Sequence, residues 1–201
     1  MNIFDVASFV KEIGLLGIWL VIFVESGIFL GFFFPGDSLL FTAGFLASQD
    51  FLPIVPLVIG SFIAAVLGDS VGYAFGRKMG EKIFNRDDSR FFNKKHLETT
   101  KNFFERYGKK SVILARFVPI VRTYTPIFAG VGKMNYRDFL LYNIIGGLLW
   151  AVGITLLGYY LGNLIPGIDE YLLPVILLII IISVLPAVIE FWKAKRGAAR
   201  D

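Results

Sequence analysis

The sequence predicts an all-α polytopic membrane protein, and three observations lead to this prediction. Of the 201 residues, 56% are hydrophobic and the mean hydropathy is +0.68, which is too apolar for one soluble domain of this size. The apolar residues fall in long runs, enough for about three full transmembrane helices. Two other segments are broken at prolines and predict re-entrant helical hairpins. We therefore expect a single membrane domain, residues 1–201, in which two opposed re-entrant hairpins, the spanning helices and interfacial amphipathic helices form an inverted-repeat, transporter-like fold.

Residues 13–50 are predicted to form the first re-entrant hairpin. Residues 13–34 are a 22-residue apolar run interrupted by Glu25, whereas residues 38–48 are only 11 residues and cannot cross a bilayer alone. The tip of the hairpin consists of Pro35, Gly36 and Asp37. The first arm is longer than a hairpin needs, so we expect its early part along the membrane surface, with a full span as the competing interpretation.

Residues 54–76 are predicted to form a true transmembrane helix of 23 mostly apolar positions. Gly68, Gly72 and Gly76 repeat every four residues and mark one face that another backbone can approach closely. That face could receive another helix of the same chain or a second subunit, so a homo-oligomer stays open. Asp69 lies on the same segment, and a lone carboxylate is costly at this depth unless it is paired or hydrated.

The loop that follows, residues 77–110, is strongly basic. It contains 11 Lys or Arg against 5 Asp or Glu, and the C-terminal tail, residues 193–201, is basic as well. By the positive-inside rule we expect both in the cytoplasm. Because topology explains this charge, a nucleic-acid partner is not expected. Residues 93–107 have an apolar helical face and are expected to lie on the inner membrane surface.

Residues 111–132 are predicted to form the second re-entrant hairpin. The stretch is apolar, but Pro119 and Pro126 break it and leave two arms of 7 or 8 residues, which reach only partway across a bilayer. Arg116 and Arg122 flank the break. Because lipid cannot satisfy the backbone groups that proline opens, we expect protein or a polar cavity around this tip.

Two further runs, residues 139–161 and 172–191, are predicted to span the membrane, and the second returns the chain to its basic tail. With residues 77–110 inside and one span between the hairpins, the first hairpin enters from outside and the second from inside. Opposed hairpins that meet near mid-depth are how inverted-repeat transporters build a central site.

Four ionisable residues lie at the hairpins, Glu25 and Asp37 on the first and Arg116 and Arg122 on the second. Opposite charges on opposed hairpins would compensate each other in a buried site. A structural ion-pair cluster that locks the hairpins together is the alternative. Arginine stays protonated, and its planar fork matches phosphate or carboxylate oxygens. The two arginines therefore predict an anionic substrate, with amphipathic phosphates as the natural candidates.

The two acidic residues can titrate, which suggests a proton-coupled cycle. Protonation of Glu25 or Asp37 from outside would free an arginine to bind the substrate phosphate, and deprotonation inside would restore the ion pair and release it. No enzyme signature is present, because the chain has no cysteine, a single histidine in a hydrophilic loop and no serine beside a base. We therefore expect a transporter without catalytic residues, metal or cofactor.

Four motifs resemble the DedA family of bacterial membrane proteins, which is related to eukaryotic lipid scramblases with the same membrane domain. They are Phe23-Val24-Glu25-Ser26-Gly27, Phe34-Pro35-Gly36-Asp37-Ser38-Leu39-Leu40, Gly68-Asp69-Ser70-Val71-Gly72-Tyr73 and Ala115-Arg116-Phe117-Val118-Pro119-Ile120-Val121-Arg122-Thr123. The resemblance runs from about residue 12 to about residue 192, and the block that contains both arginines is its most specific part.

The resemblance implies translocation of polyprenyl phosphate or phospholipid across the cytoplasmic membrane, coupled in several members to the proton gradient. It carries the acidic roles to Glu25 and Asp37 and the basic roles to Arg116 and Arg122, and Asp69 matches a further position that we assign to proton coupling. The leading hypothesis is a proton-coupled flippase for an anionic lipid, undecaprenyl phosphate, in the bacterial inner membrane. The alternatives are a scramblase or solute exporter without proton coupling, and a structural protein whose basic loop recruits partners.

Overall fold

A computed structural model describes residues 6–27, 36–79 and 94–164, and every regular element in these ranges is a helix. The helices are α1 Val6–Gly27, α2 Gly36–Ser48, α3 Ile54–Met79, α4 Lys94–Tyr107, α5 Ser111–Leu114, α6 Pro119–Val131, α7 Tyr136–Gly147 and α8 Gly153–Leu164. Turns of 3-10 helix, Gly108–Lys110 and Ala115–Phe117, flank α5, and a π turn, Leu148–Val152, joins α7 to α8. The all-helical prediction is confirmed over the described residues.

Within residues 6–27, 36–79 and 94–164, two helices are long and apolar enough to cross a membrane, α3 with 26 residues and the continuous helix Tyr136–Leu164 with 29. At 1.5 Å per residue they measure about 39 Å and 43 Å, against roughly 30 Å of hydrocarbon. The spans predicted at residues 54–76 and 139–161 lie within them. The third predicted span, 172–191, and the tail, 193–201, lie outside the described residues.

One face of α3 consists of large apolar side chains that are exposed. They recur at every fourth position along the helix, at Val55, Ile59, Ile63, Leu67, Val71 and Phe75. An apolar stripe of this length is unfavourable in water and is what a lipid-facing helix surface requires. The opposite face of α3 is buried against α1 and α6.

The first predicted hairpin corresponds to α1 and α2. A kink at Gly14, where φ is +64°, divides α1 into a short initial part and a longer part that ends at Gly27. Pro35, predicted at the tip, lies outside the described residues, and Gly36 is the first residue of α2. The re-entrant depth of this hairpin and the surface position of its early part stay predictions.

The second predicted hairpin breaks at one proline rather than two. Val118 is extended, with φ −122° and ψ 103°, and α6 begins directly after it at Pro119, as expected for the residue before a proline. Pro126 lies inside α6, so the prediction that it belongs to the tip was wrong. The helix continues through Pro126 because tertiary packing supports it there: the Pro126 side chain sits against Gly72 of α3.

The helices approach one another closely where glycines face a neighbouring backbone. An added Cβ at Gly76 would lie 2.1 Å from the Ile127 carbonyl oxygen, and one at Gly44 would lie 2.0 Å from the Thr155 carbonyl oxygen. The predicted glycine face of α3 is therefore occupied by helices of the same chain, with α1 at Gly68 and α6 at Gly76. This packing does not test whether the protein forms oligomers.

Helix α4 covers the amphipathic stretch predicted at residues 93–107. Thr100 on it is fully buried, and the Phe104 ring lies 5.1 Å from the Phe128 ring of α6. Its apolar face thus packs on α6. The long basic loop is in this way attached to the segment that contains Arg116 and Arg122.

Candidate functional site

Arg122 lies at the centre of the candidate site and contacts both acidic residues predicted for it. The side chain leaves the first turn of α6, where the Arg122 amide donates to the Val118 carbonyl at 2.9 Å. Its Nη2 donates to Glu25 Oε1 on α1, and its Nη1 donates to Asp37 Oδ1 on α2 at 3.1 Å. One guanidinium therefore joins three helices, and the structure brings Glu25, Asp37 and Arg122 together.

Arg116 has a different partner. It lies in the 3-10 turn before Val118, and its Nη2 donates to Asp69 Oδ2 on α3 and to Asn143 Oδ1 on α7, the latter at 2.5 Å. The Asn143 amide in turn donates to the Val66 carbonyl at 3.0 Å. The expectation that both arginines face Glu25 and Asp37 is thus corrected: Arg116 ion-pairs with Asp69, because the break in the chain directs the two side chains towards different helices.

Trp150, in the π turn, connects the two ion pairs. Its indole Nε1 donates to Asp37 Oδ1 at 2.6 Å, and its ring centroid lies 4.9 Å from Arg122 Cζ and 5.6 Å from Arg116 Cζ. Cations at this distance from an indole face are attracted by the ring quadrupole. Both guanidinium groups are therefore held beside one buried aromatic ring.

The two ion-pair groups together contain five charged side chains: Glu25, Asp37, Asp69, Arg116 and Arg122. Of these five, only Asp37 is substantially exposed. Its side chain is 44% exposed, against 14% for Arg122 and 6% or less for the remaining three. When all five are ionised, three carboxylates face two guanidinium groups, a net charge of −1. A buried cluster with one uncompensated negative charge is expensive, and one bound proton would neutralise it.

Gly36, predicted at the hairpin tip, lies directly against the carboxyl group of Glu25. A Cβ added at Gly36 would lie 1.7 Å from Glu25 Oε2, so any side chain here would displace the Glu25 carboxyl group. Gly146 of α7 similarly faces Arg116 Cδ at 3.0 Å. Glycine at these two positions allows the helix backbones to approach the charged groups.

Sequence reasoning did not identify Asn143 and Trp150 as site residues. The available signal was weak, because Asn143 is an amide within an apolar run and Trp150 is an aromatic residue for which core packing is the ordinary explanation. Among the residues that the structure describes, no group of three or more His, Cys, Asp or Glu side chains is arranged to hold a metal ion.

Two substitutions distinguish the hydrogen bond of Trp150 from its packing. Trp150→Phe keeps a ring beside the arginines but removes the hydrogen-bond donor to Asp37. Because Asp37 is half-exposed, water can replace this donor, and we expect the free energy of unfolding to fall by about 1 kcal/mol. Trp150→Ala empties a buried indole site and is expected to cost about 3 to 5 kcal/mol. Thermal unfolding of the two variants in detergent micelles measures both, and equal losses would contradict this division of roles.

Comparison with known proteins gives consistent matches. The VTT domain family matches residues 34–160, which include every charged site residue except Glu25. The chain is 46% identical over 192 residues to Protein DedA of Escherichia coli strain K12, covering 92% of this chain and 87% of that protein. It is 42% identical over 190 residues to an uncharacterized membrane protein of Mycobacterium tuberculosis, covering 92% of this chain and 83% of that protein. An uncharacterized membrane protein of Mycobacterium leprae is 42% identical over 180 residues, which cover 90% of this chain and 80% of the relative. No solved structure matches significantly.

Proposed function

The chain belongs to the DedA family of VTT-domain membrane proteins, and from this premise we propose that it is a transporter that moves an anionic lipid phosphate across a bacterial membrane. The substrate that we propose is undecaprenyl phosphate, and the coupling ion is the proton. The protein acts as a carrier, not as an enzyme, and needs no cofactor. The basic loop, residues 77–110, and the C-terminal tail face the cytoplasm, as the positive-inside rule requires.

The observation that supports this proposal most strongly is the shared position of Arg122. Its Nη2 contacts Glu25 and its Nη1 contacts Asp37, so each terminal nitrogen of the guanidinium faces a carboxylate oxygen. Phosphate oxygens suit the same fork. Arg116 lies beside the same Trp150 ring, but Asp69 already compensates its charge, so Arg122 is the cation proposed to bind the phosphate. A lipid phosphate could therefore replace one carboxylate at Arg122 without any change of donor.

A proton is the ion that makes this replacement reversible. With all five groups ionised, the site already holds one negative charge in excess, so an arriving phosphate would be repelled. Protonation of Asp37, the exposed partner, or of Glu25 removes a negative charge and releases one edge of the Arg122 fork. Loss of the proton on the other side restores the carboxylate, which then competes with the phosphate and releases it.

The alternative is a scramblase or exporter that works without proton coupling. It would use the arginines in the same way, but the carboxylates would serve only as fixed counterions. The half-exposed position of Asp37 supports the coupled scheme, because a carboxylate that is not enclosed by protein can exchange a proton more readily than a fully buried one.

The test uses the purified full-length protein in vesicles that contain fluorescent undecaprenyl phosphate, with and without a pH gradient. We expect the gradient to increase net transport at least tenfold, and Glu25→Gln and Asp37→Asn to lose that increase. Lys101→Gln, which changes an exposed cation on α4, serves as the control and should behave as the unmodified protein. Equal transport with and without the gradient, or an unchanged gradient response in both acid variants, would refute proton coupling. Rapid equilibration of many different lipids would favour the scramblase.

A further inference from the structure

We propose that a cleft between the C-terminal end of α3 and the start of α7 is a second binding site, for a phosphate group at the membrane surface. The cleft has a volume of about 850 Å³. It is lined by Ser70, Tyr73, Ala74, Arg77, Lys78, Lys133, Asn135 and Tyr136. It shares no residue with the Arg122 centre.

The cleft follows one face of α3 from the membrane surface inwards. Ser70, Tyr73, Ala74, Arg77 and Lys78 have the i, i+3, i+4, i+7, i+8 spacing of a single helix face and extend over about 12 Å. At the end of the cleft near the C-terminus of α3 lie the exposed cations Arg77 and Lys78. The other end reaches Ser70, the residue after Asp69. The inference that the cleft loads the transported lipid rests on the proposed function. The inference that the cleft binds a phosphate group does not.

The charge of the cleft is positive and uncompensated by its own walls. Arg77, Lys78 and Lys133 are all exposed, and none of the lining residues is acidic. Asp138, the first acid along the chain after the cleft, is instead bound to Lys109 at 2.5 Å. Three cations, with no carboxylate among the described residues that line the cleft, lie beside tyrosine and asparagine donors and form an environment that suits phosphate oxygens.

Arg77 is held in place by the cleft floor. Its Nη1 donates to Tyr73 Oη at 3.1 Å, and Tyr73 Oη donates to the Met134 carbonyl. The Tyr73 ring is buried and stacks on Phe139 at 4.6 Å. Because this contact occupies one of the five N–H donors of the guanidinium, Arg77 is oriented and still has donors for an anion.

Lys133 is in a conformation that lysine rarely adopts. Its φ is +55°, just after α6 ends, where the Lys133 amide donates to the Gly130 carbonyl at 3.1 Å and the Met134 amide to the Ala129 carbonyl at 3.0 Å. Helix ends of this kind favour glycine. A lysine here is unfavourable for the backbone, and it adds a third basic residue to the lining of the cleft.

The ligand is defined by its phosphate group, which could belong to an anionic lipid headgroup or to free phosphate. Isothermal titration of the full-length protein in detergent with dihexanoyl phosphatidic acid and, separately, with inorganic phosphate distinguishes the two. Dihexanoyl phosphatidylcholine is the zwitterionic control. Binding of phosphatidic acid alone identifies a headgroup site, and binding of both identifies a general phosphate site; either result supports the proposal.

The variant Arg77→Gln/Lys133→Gln should weaken this binding roughly 30-fold, at about fivefold for each cation near the surface. Lys133→Gly alone should weaken it about fivefold while the melting temperature stays equal or rises, because glycine suits the positive φ. Arg106→Gln/Lys110→Gln, with the same loss of charge on an exposed surface, should have no effect. The proposal would be overturned if neither phosphatidic acid nor phosphate bound. It would also be overturned if Arg77→Gln/Lys133→Gln bound them as tightly as the unmodified protein. Arg122→Gln separates this result from the proposed function, because it should keep binding at the cleft even where transport is lost.

Discussion

Arg122→Gln is expected to abolish lipid phosphate transport and to destabilise the protein by about 3 to 5 kcal/mol. The substitution removes the cation that Glu25 and Asp37 share, and the Glu25 side chain, only 1% exposed, would lose the partner that makes its buried charge tolerable. Thermal unfolding in detergent and transport in vesicles measure the two effects separately. Arg137→Gln, which removes an exposed cation at the start of α7, should leave both unchanged.

A second substitution separates stability from transport. Glu25→Gln combined with Arg122→Gln removes both charges of the pair, so most of the lost stability should return, because no buried charge is then uncompensated. Transport should not return, since the phosphate-binding fork is still absent. Recovery of transport in the double variant would mean that Arg122 is only a counterion and that the structural ion-pair cluster is the correct interpretation.

Gly44→Ala is expected to destabilise the protein by about 3 kcal/mol, the upper part of the range for overpacked cores. The new methyl group would meet the Thr155 carbonyl oxygen at 2.0 Å, and a Cβ added at Gly158 on the facing helix would likewise lie 2.2 Å from the Phe41 carbonyl oxygen. Both obstacles are backbone atoms, so α2 and α8 would have to separate. Thermal unfolding in detergent should show a lower melting temperature by about 6 to 12 °C.

Gly153→Ala is the matched control, because it makes the same chemical change at a helical glycine of α8, the helix against which Gly44 packs. Apart from its own helix, no atom of the residues that the structure describes lies within 4 Å of the Cβ position at Gly153. Alanine is also the better helix former, so stability should stay equal or rise by up to about 1 kcal/mol. If both glycine variants lost the same stability, helix propensity and not the close approach of α2 and α8 would explain the result.

Much of the candidate site follows from the sequence because buried charge is expensive. Glu25, Asp37 and Arg122 interrupt apolar runs, and only mutual pairing makes such residues tolerable at depth, so their meeting was predictable without coordinates. The spans were predictable for the same kind of reason. A run of apolar residues long enough to cross a bilayer leaves few alternatives, and α3 lies where residues 54–76 indicated.

The pairing of Arg116 with Asp69 was not predictable in the same way. Sequence gives the depth of a charge along its helix only approximately, and it does not give the direction in which a side chain leaves a broken segment. The break at Pro119 separates Arg116 from Arg122 by a change in backbone direction, so the two arginines reach different helices. Pro126 was misinterpreted for a related reason, since its support comes from Gly72 on another helix.

The π turn between α7 and α8 determines how the buried face of α8 is oriented relative to the buried face of α7. One set of buried positions, Phe139, Asn143, Gly146 and Trp150, runs through α7 into the turn, with the buried Gly147 beside it; a second set, Ala151, Thr155, Gly158 and Gly162, runs from the turn through α8. Each set has helical spacing, but the second begins one position later than a continuation of the first would allow. The wider turn takes up that extra residue.

Both halves of the span therefore present their buried faces to the same interior. One half carries the groups that hold Arg116, and the other carries the contact with α2, on which Asp37 is located. A chain with one residue fewer between positions 148 and 152 would rotate α8 by about 100°. Gly158 would then face away from α2, and the charged centre would lose its alignment with the helices that support it.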